Sequence, residues 1–499
     1  MMKRNLKLKF IWCVVLLMGL SFFSEAQITL TIEQALDIAE DNNPSLQSAK
    51  LNYERTQYLL EATRIGLKPQ FSMSVNPFGY SQTRSFDAYN AAWYTRREMG
   101  SSGTFQSVMT FLPTDATLRL SNTFGWQDSE AQKSTGTTIN KAFSNDLSLR
   151  LNQPLFTYNQ TKMQIQTLQF DIENAGINYA LQRLGTERNI TRQFYSVYYA
   201  KERLEIRRAD LENSQRNYDI IKEKVEADLS PRSELFQAEV NLANAQSALQ
   251  QSEVSLQDAK DNLKQILGMP LNEDVDVLVT IDAKPILIDI DKAIHSGLSS
   301  RMELRQREIN MVEADLRMIV EKARDEFRGD LSLSIGITGD NENFGNIYET
   351  PTQSPRIAIS FNVPIFDWGL RKTRIQAQKT AQTIAKLNYD NEVVDIELNI
   401  RSTVRSLENL LLQIDIAEIT VRNAQQTYDL SEIQYREGDI NGLQLSQYQS
   451  QLSSAKTSIV SAQINYKNEL LNLKILTLYD FENDKPIVPV RELLNSSKK

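Results

Sequence analysis

The chain has one cysteine and one histidine in 499 residues. Cys13 lies within an apolar opening run. With no second thiol there is no disulfide framework and no thiolate metal cluster, and removal of the opening segment leaves no thiol nucleophile. His295 alone cannot build a histidine triad or an ordinary zinc cluster, so a capping or solvent-facing role is expected of it. A phosphate-cradling glycine loop is also missing. Gly438 and Gly442 lie close together, but Leu443 and Gln444 follow where lysine and a hydroxyl residue are needed. Carboxylates such as Glu202, Glu205, Asp210 and Glu212 lie opposite apolar seams, as on a solvated helix face rather than in a glycosidase pair. No cofactor, no metal and no catalytic chemistry is expected.

Long hydrophobic runs are scarce as well. Lys3, Arg4, Lys7 and Lys9 precede the apolar run Phe10 to Phe23, and Ser24-Glu25-Ala26 completes the pattern of a secretory signal over residues 1–26. Beyond it nothing approaches the roughly 18 apolar residues that a spanning helix requires. Entry into a bilayer would therefore demand a closed barrel. The formal charge of −8 becomes more negative when the basic opening segment is removed, which disfavours nucleic acid as a partner.

What is present is a duplication. Pro154 and Phe156 recur as Pro364 and Phe366, Tyr218-Asp219 as Tyr428-Asp429, Leu235 as Leu445, and Asn262-Leu263-Lys264 as Asn472-Leu473-Lys474, all displaced by 210. Upstream, Arg64, Ser72 and Ser74 match Arg324, Ser332 and Ser334 at 260. The first half therefore holds about 50 extra residues between Val75 and Pro154. The first repeat spans 27–270, with a helix from about Thr31 to Gly66, an enlarged β-hairpin over about 70–153 and a helical hairpin over about 160–267. A linker over 271–289 leads to the second repeat, 290–479, with a helix, a β-hairpin over about 330–363 and a helical hairpin over about 370–477. Residues 480–499 form a tail.

Ile190, Val197, Leu204, Leu211, Tyr218 and Val225 fall at seven-residue steps, as do Ile400, Leu407, Ile414, Val421, Tyr428 and Tyr435. The returning segments repeat the rule from Leu235 and Leu445. Sustained heptads predict coiled-coil seams, and the proline-free stretches predict helices on the order of 100 Å. Ser230-Pro231 reads as an N-cap followed by a first helical proline, and Gly438 as a helix end.

Phe71, Met73 and Val75, then Leu147, Leu149 and Leu151, Leu331 to Ile337, and Ile357 to Val363 alternate with polar residues. Such strands suit a barrel with lipid outside and water inside. A soluble sheet with one buried face fits the alternation equally. The export segment and the helix lengths favour the barrel. In the insertion, Thr117 to Phe124 alternates too, and either extends a loop or pairs near Phe105 to Leu112. Two crossings per half with an elaborated outer loop are expected. Four strands cannot close a barrel, so oligomerisation follows.

The opening Leu30-Thr-Ile-Glu-Gln-Ala-Leu, Leu67-Lys-Pro69, Gln153-Pro-Leu-Phe, Val363-Pro-Ile-Phe-Asp-Trp-Gly369, Asp228 to Leu235 and Gly438 to Leu445 together resemble the TolC-like outer-membrane efflux family over nearly the whole mature chain. The resemblance implies a mainly α fold with membrane β. It implies long antiparallel helical hairpins forming a periplasmic tunnel, and four strands per chain in a 12-stranded barrel shared by a homotrimer. It implies a passive exit duct of a tripartite efflux or type I secretion system, in the outer membrane of a Gram-negative bacterium. The implied partners are a periplasmic adaptor, an inner-membrane pump of RND or ABC type, and outer-membrane lipid.

The resemblance places adaptor docking at Asp228, Leu229 and Ser230 and at Gly438, Asp439 and Ile440; simple capped turns are the alternative. Gln444 and Gln447 match paired aspartates that narrow the tip in some members; as neutral amides they can form a hydrogen-bonded constriction there but lack the strong cation attraction of an acidic ring. Glu234 is the charged candidate for a constriction, and a solvated first-turn residue is the competing reading. A soluble periplasmic coiled-coil adaptor or scaffold is the rival function.

Overall fold

A computed structural model describes residues 28–133, 136–279, 281 and 284–487. The expected signal segment and most of the tail lie outside them. Two compact units are formed from interleaved stretches of chain.

The first unit comprises the described parts of residues 1–50, 178–301 and 394–499. It begins with β1 (Ile28–Leu30) and α1 (Ile32–Asn42). The helix expected from Thr31 to Gly66 is two helices, because Pro44 cannot donate a backbone hydrogen bond and Asn43 adopts extended geometry at the end of α1. Asn43 closes α1 and opens α2 (Pro44–Gly66), its Oδ1 accepting from Leu46 N at 2.9 Å. Its Nδ2 donates to the Ile266 carbonyl at 2.7 Å, tying the break to α4 (Arg232–Leu267). Gly268 ends α4 at φ 72°, where a Cβ would run into the Asn42 carbonyl, so glycine is required there. β6 (Val275–Val277) pairs in parallel with β1.

Phe194, Val197 and Ile190 of α3 (Gln160–Glu226) pack with Leu263, Leu267, Val275 and Leu30 into one core. Of these, Ile190, Val197 and Leu263 are where the heptads placed them. α5 (Ile290–Ser300), most of α7 (Leu370–Glu437) and α8 (Gly442–Thr477) complete the helical unit. Both α3 and α7 supply residues to the two units. At 67 and 68 residues they are each about 100 Å long.

The second unit comprises 51–177 and 302–393. Its sheet consists of β2 (Gln70–Asp87), β3 (Ala92–Phe111), β4 (Ala116–Lys133), β5 (Gly136–Leu155), β7 (Arg328–Asn341) and β9 (Arg356–Asn362), in that order. The two-residue β8 (Thr352–Gln353) also pairs with β7. Every neighbouring pair is antiparallel.

The fold class is mainly α with a β-sheet, as expected, but the strand count differs. The first half was expected to cross twice, giving four strands per chain; it contributes four long strands, giving six. The extra residues form a full-length hairpin, β3–β4, rather than a loop. Its turn at 112–115 returns to the helix-proximal end of the sheet. There Asn159 Nδ2 donates to the Leu112 carbonyl at 2.6 Å and Gln160 N donates to Asp115 at 3.1 Å. Ion pairs Arg305–Glu173, Arg374–Asp325 and Arg307–Glu392 link α6 (Met302–Arg324) and its successors to the long helices beside the sheet.

Candidate functional site

Cross-strand register decides which side chains share a face of the sheet, because a strand alternates with period two. Leu120 lies opposite Leu149, and Leu149 opposite Ile335. Leu118, Leu151 and Leu333 form the next row, and Leu333 meets Ile357. Met73 and Phe105 continue the same face on β2 and β3. Leu118, Leu151 and Leu333 are half-buried, but the other side chains are exposed although apolar: Met73 is 71% accessible, Ile335 57% and Ile357 76%.

Aromatic rings bracket the band. Phe344 meets Phe124 and Phe143 edge-on at 5.4 and 5.8 Å near one end. Phe327 lies 5.4 Å from Phe361 and 5.3 Å from Phe156 near the other. An apolar band between two aromatic girdles is the lipid face of an outer-membrane barrel strand set. A soluble sheet would instead cover those leucines. The opposite face carries Ser121, Ser148, Asn152, Ser332 and Thr338, with Thr338 donating to Asp146 at 3.0 Å. Among the described residues no helix is long and apolar enough to cross a membrane.

The helical turns carry the other candidate residues. Asp228 takes φ 55°, and Leu229 N donates to the Lys224 carbonyl at 2.8 Å, closing α3. Leu229 is 78% accessible, an apolar residue with no packing role in this chain. Ser230 is not the N-cap: Pro231 is extended, with ψ 146°, and occupies that position, so α4 starts at Arg232. The Ser230 hydroxyl instead donates to Glu234 at 2.8 Å. In the second half Gly438 at φ 93° ends α7, with its own N–H and that of Asp439 bonded back to Gln434. Asn441 then caps α8, and Gln444 completes a reciprocal capping box. Gln444 is thus occupied within its own turn. Gln447 is exposed, and Ile440 packs against the cluster around Tyr428, Tyr435 and Leu445.

Between the two halves lies a contact that sequence reasoning missed. Lys224 Nζ donates to the Tyr435 carbonyl at 2.5 Å and stands 4.3 Å from the centre of its ring. Tyr435 is 2% accessible, and its hydroxyl has no hydrogen-bond partner among the described residues. Burial, with the Glu234 carboxylate adding to it, pushes that phenol up to about 12. The heptad marked Tyr435 as a seam residue, but nothing in the spacing indicated which cation would meet it.

A polar zipper joins α3 to α8. Asp210 accepts from Arg207 at 3.0 Å and from Ser453 at 2.7 Å. Gln449 donates to the Asp210 carbonyl at 2.9 Å and accepts from Asn217 at 3.2 Å. No grouping of histidine and carboxylate suited to a metal occurs among the described residues.

Comparison with known proteins agrees with this arrangement. Residues 111–269 and 293–477 match the family described as outer membrane efflux protein. Nodulation protein T of Rhizobium leguminosarum bv. trifolii is 21% identical over 361 residues, covering 70% of this chain and 73% of that protein. Cation efflux system protein CusC of Escherichia coli K12 is 19% identical over 296 residues, covering 58% of this chain and 62% of that protein. The outer membrane channel CmeC of Campylobacter jejuni shares the fold with a TM-score of 0.69 at 16% identity, covering 94% of this chain and 89% of that one. None of these supports the soluble adaptor reading. The family is one of channels and not of enzymes, and the chain belongs to it: this is an outer membrane efflux protein, a channel of the Gram-negative outer membrane.

Proposed function

We propose that three copies join their sheets into one barrel and their helical hairpins into one periplasmic tunnel, which meets an adaptor and an inner-membrane pump. The observation that carries this reading is an antiparallel sheet of six main strands with one lipid-suited face and two edges, β2 and β9, that are unpaired among the described residues. In hydrocarbon an open edge leaves backbone groups unsatisfied at several kcal/mol each, so the edges must meet other edges. An even strand number makes β2 of one copy antiparallel to β9 of the next. Three copies then supply eighteen strands instead of the twelve expected from four per chain.

Passage through the duct needs no covalent chemistry from the chain. The Lys224–Tyr435 clasp and the Asp210 zipper hold the second helical hairpin against the first, and opening requires their release. Glu234 and Gln447 take part at the constriction, and Gln444 joins them only if its capping box opens. The turns at Asp228 to Ser230 and Gly438 to Ile440 dock the adaptor, with exposed Leu229 as the apolar anchor.

Leu229→Glu tests the docking. Leu229 contributes little to the fold, so the variant is expected to reach the outer membrane at wild-type level while export of a pump substrate falls at least several-fold. Export equal to wild type at equal channel abundance would sink the docking assignment.

A further inference from the structure

On the polar face of the sheet one lateral row differs from its neighbours. Arg119 of β4 lies directly opposite Arg150 of β5, Arg150 lies opposite Ser334 of β7, and Ser334 lies opposite Arg356 of β9. All three arginines are exposed. The adjacent row on one side holds Ser121, Ser148 and Gly336, and the row on the other holds Thr117, Asn152 and Ser332. None of these six is charged. The carboxylates of this face that stand closest along β5 and β7 are Asp146 and Asp330, each four residues along the strand from the arginine row, roughly 13 Å away.

Like charges directly opposite one another on a sheet are destabilising. An arginine cannot relieve the repulsion by losing its proton. The row therefore stands at a cost that an anion would offset, and its members project from the same face as the serines and threonines rather than toward lipid.

Resting on the duct reading above, we propose that Arg119, Arg150 and Arg356 form a positively charged ring inside the barrel that binds and favours the passage of anionic solutes bearing carboxylate, phosphate or sulfonate groups. Guanidinium pairs with such groups through two parallel hydrogen bonds, and rings of arginine in a pore raise the local concentration of anions. In a trimer the ring holds nine guanidinium groups, in a mature chain whose net charge is negative. The conduit is thereby anion-favouring at its barrel although the protein as a whole repels anions.

Thiol modification reads the local potential without depending on the state of the helical tip. The sole native cysteine, Cys13, lies in the opening segment, so Ser148→Cys provides one thiol on the polar face, two residues from Arg150. In intact outer membranes it is treated with anionic sulfonatoethyl and cationic trimethylammonioethyl methanethiosulfonate. The anionic reagent is expected to be favoured several-fold, and R119Q/R150Q/R356Q in the same background is expected to abolish most of that preference. A ratio unchanged by removal of the arginines overturns the proposal and leaves the duct reading intact. Leu149→Cys, on the opposite face, is expected to be shielded from both reagents by lipid. A reactive thiol at 149 together with a shielded one at 148 would invert the faces and overturn the duct reading and the ring together.

Discussion

Ile335→Arg is expected to remove the protein almost completely from the outer membrane, while Thr338→Arg, three residues along the same strand, is expected to be tolerated. Ile335 stands in the row of Leu120 and Leu149, within the band bounded by the two phenylalanine clusters. An arginine on the lipid face near the bilayer midplane costs about 2–4 kcal/mol. In the proposed trimer that cost is incurred three times, so the assembled population falls by several orders of magnitude even at the lower figure. Thr338 faces the other way and already donates to Asp146, with which an arginine would pair. Quantifying heat-modifiable oligomer in outer-membrane fractions of the two variants checks the assignment. Equal abundance of Ile335→Arg and wild type would contradict it.

The second large effect concerns closure at the helical turns. Lys224→Ala removes a charged hydrogen bond, worth about 1.5–3 kcal/mol in general, together with a cation–π contact of about 0.5–2 kcal/mol. Lys224 is half-buried, which points to the lower part of both ranges. Even about 1.5 kcal/mol per chain, summed over three copies that open together, shifts the balance of closed and open forms by roughly three orders of magnitude. Purified Lys224→Ala is expected to conduct continuously in planar bilayers where the wild type is mostly silent, and cells carrying it should take up antibiotics too large for porins. Lys224→Arg retains the charge and should remain much closer to wild type. Silent Lys224→Ala channels at normal abundance would remove the clasp from the mechanism.

The parts of this molecule that were legible in its sequence are those governed by periodicity. Ile190, Val197, Ile400, Leu407, Leu263 and Leu473 are at most 1% accessible, because a seven-residue apolar repeat leaves a helix one seam to bury. The displacement of 210 located corresponding turns for the same reason. The alternation of Leu147 to Leu151 marked β5 as a strand, whereas that of Thr117 to Phe124 in β4 was visible but left open between a loop and a paired strand. Of β3 only Phe105 to Leu112 was named, as a possible partner for Thr117 to Phe124, and that pairing is present; its outer part was not seen, since Arg96, Arg97, Glu98, Gly100 and Gly103 interrupt its faces. An extra hairpin was therefore read as a loop, and six strands were counted as four.

The functional contacts were less legible because they depend on register and on tertiary packing. The arginine row is invisible until Arg119 is known to oppose Arg150. The clasp joins residues 211 positions apart. Ser230 was misplaced by one residue, since a serine before proline reads as a cap whichever of the two is extended.

The central claim is that these sheets close only by joining copies of the chain within a membrane. Native mass spectrometry of protein released from cell envelopes tests it most directly. The expected result is a detergent-dependent trimer with no appreciable monomer; a monomer that remains freely soluble without detergent would contradict the account.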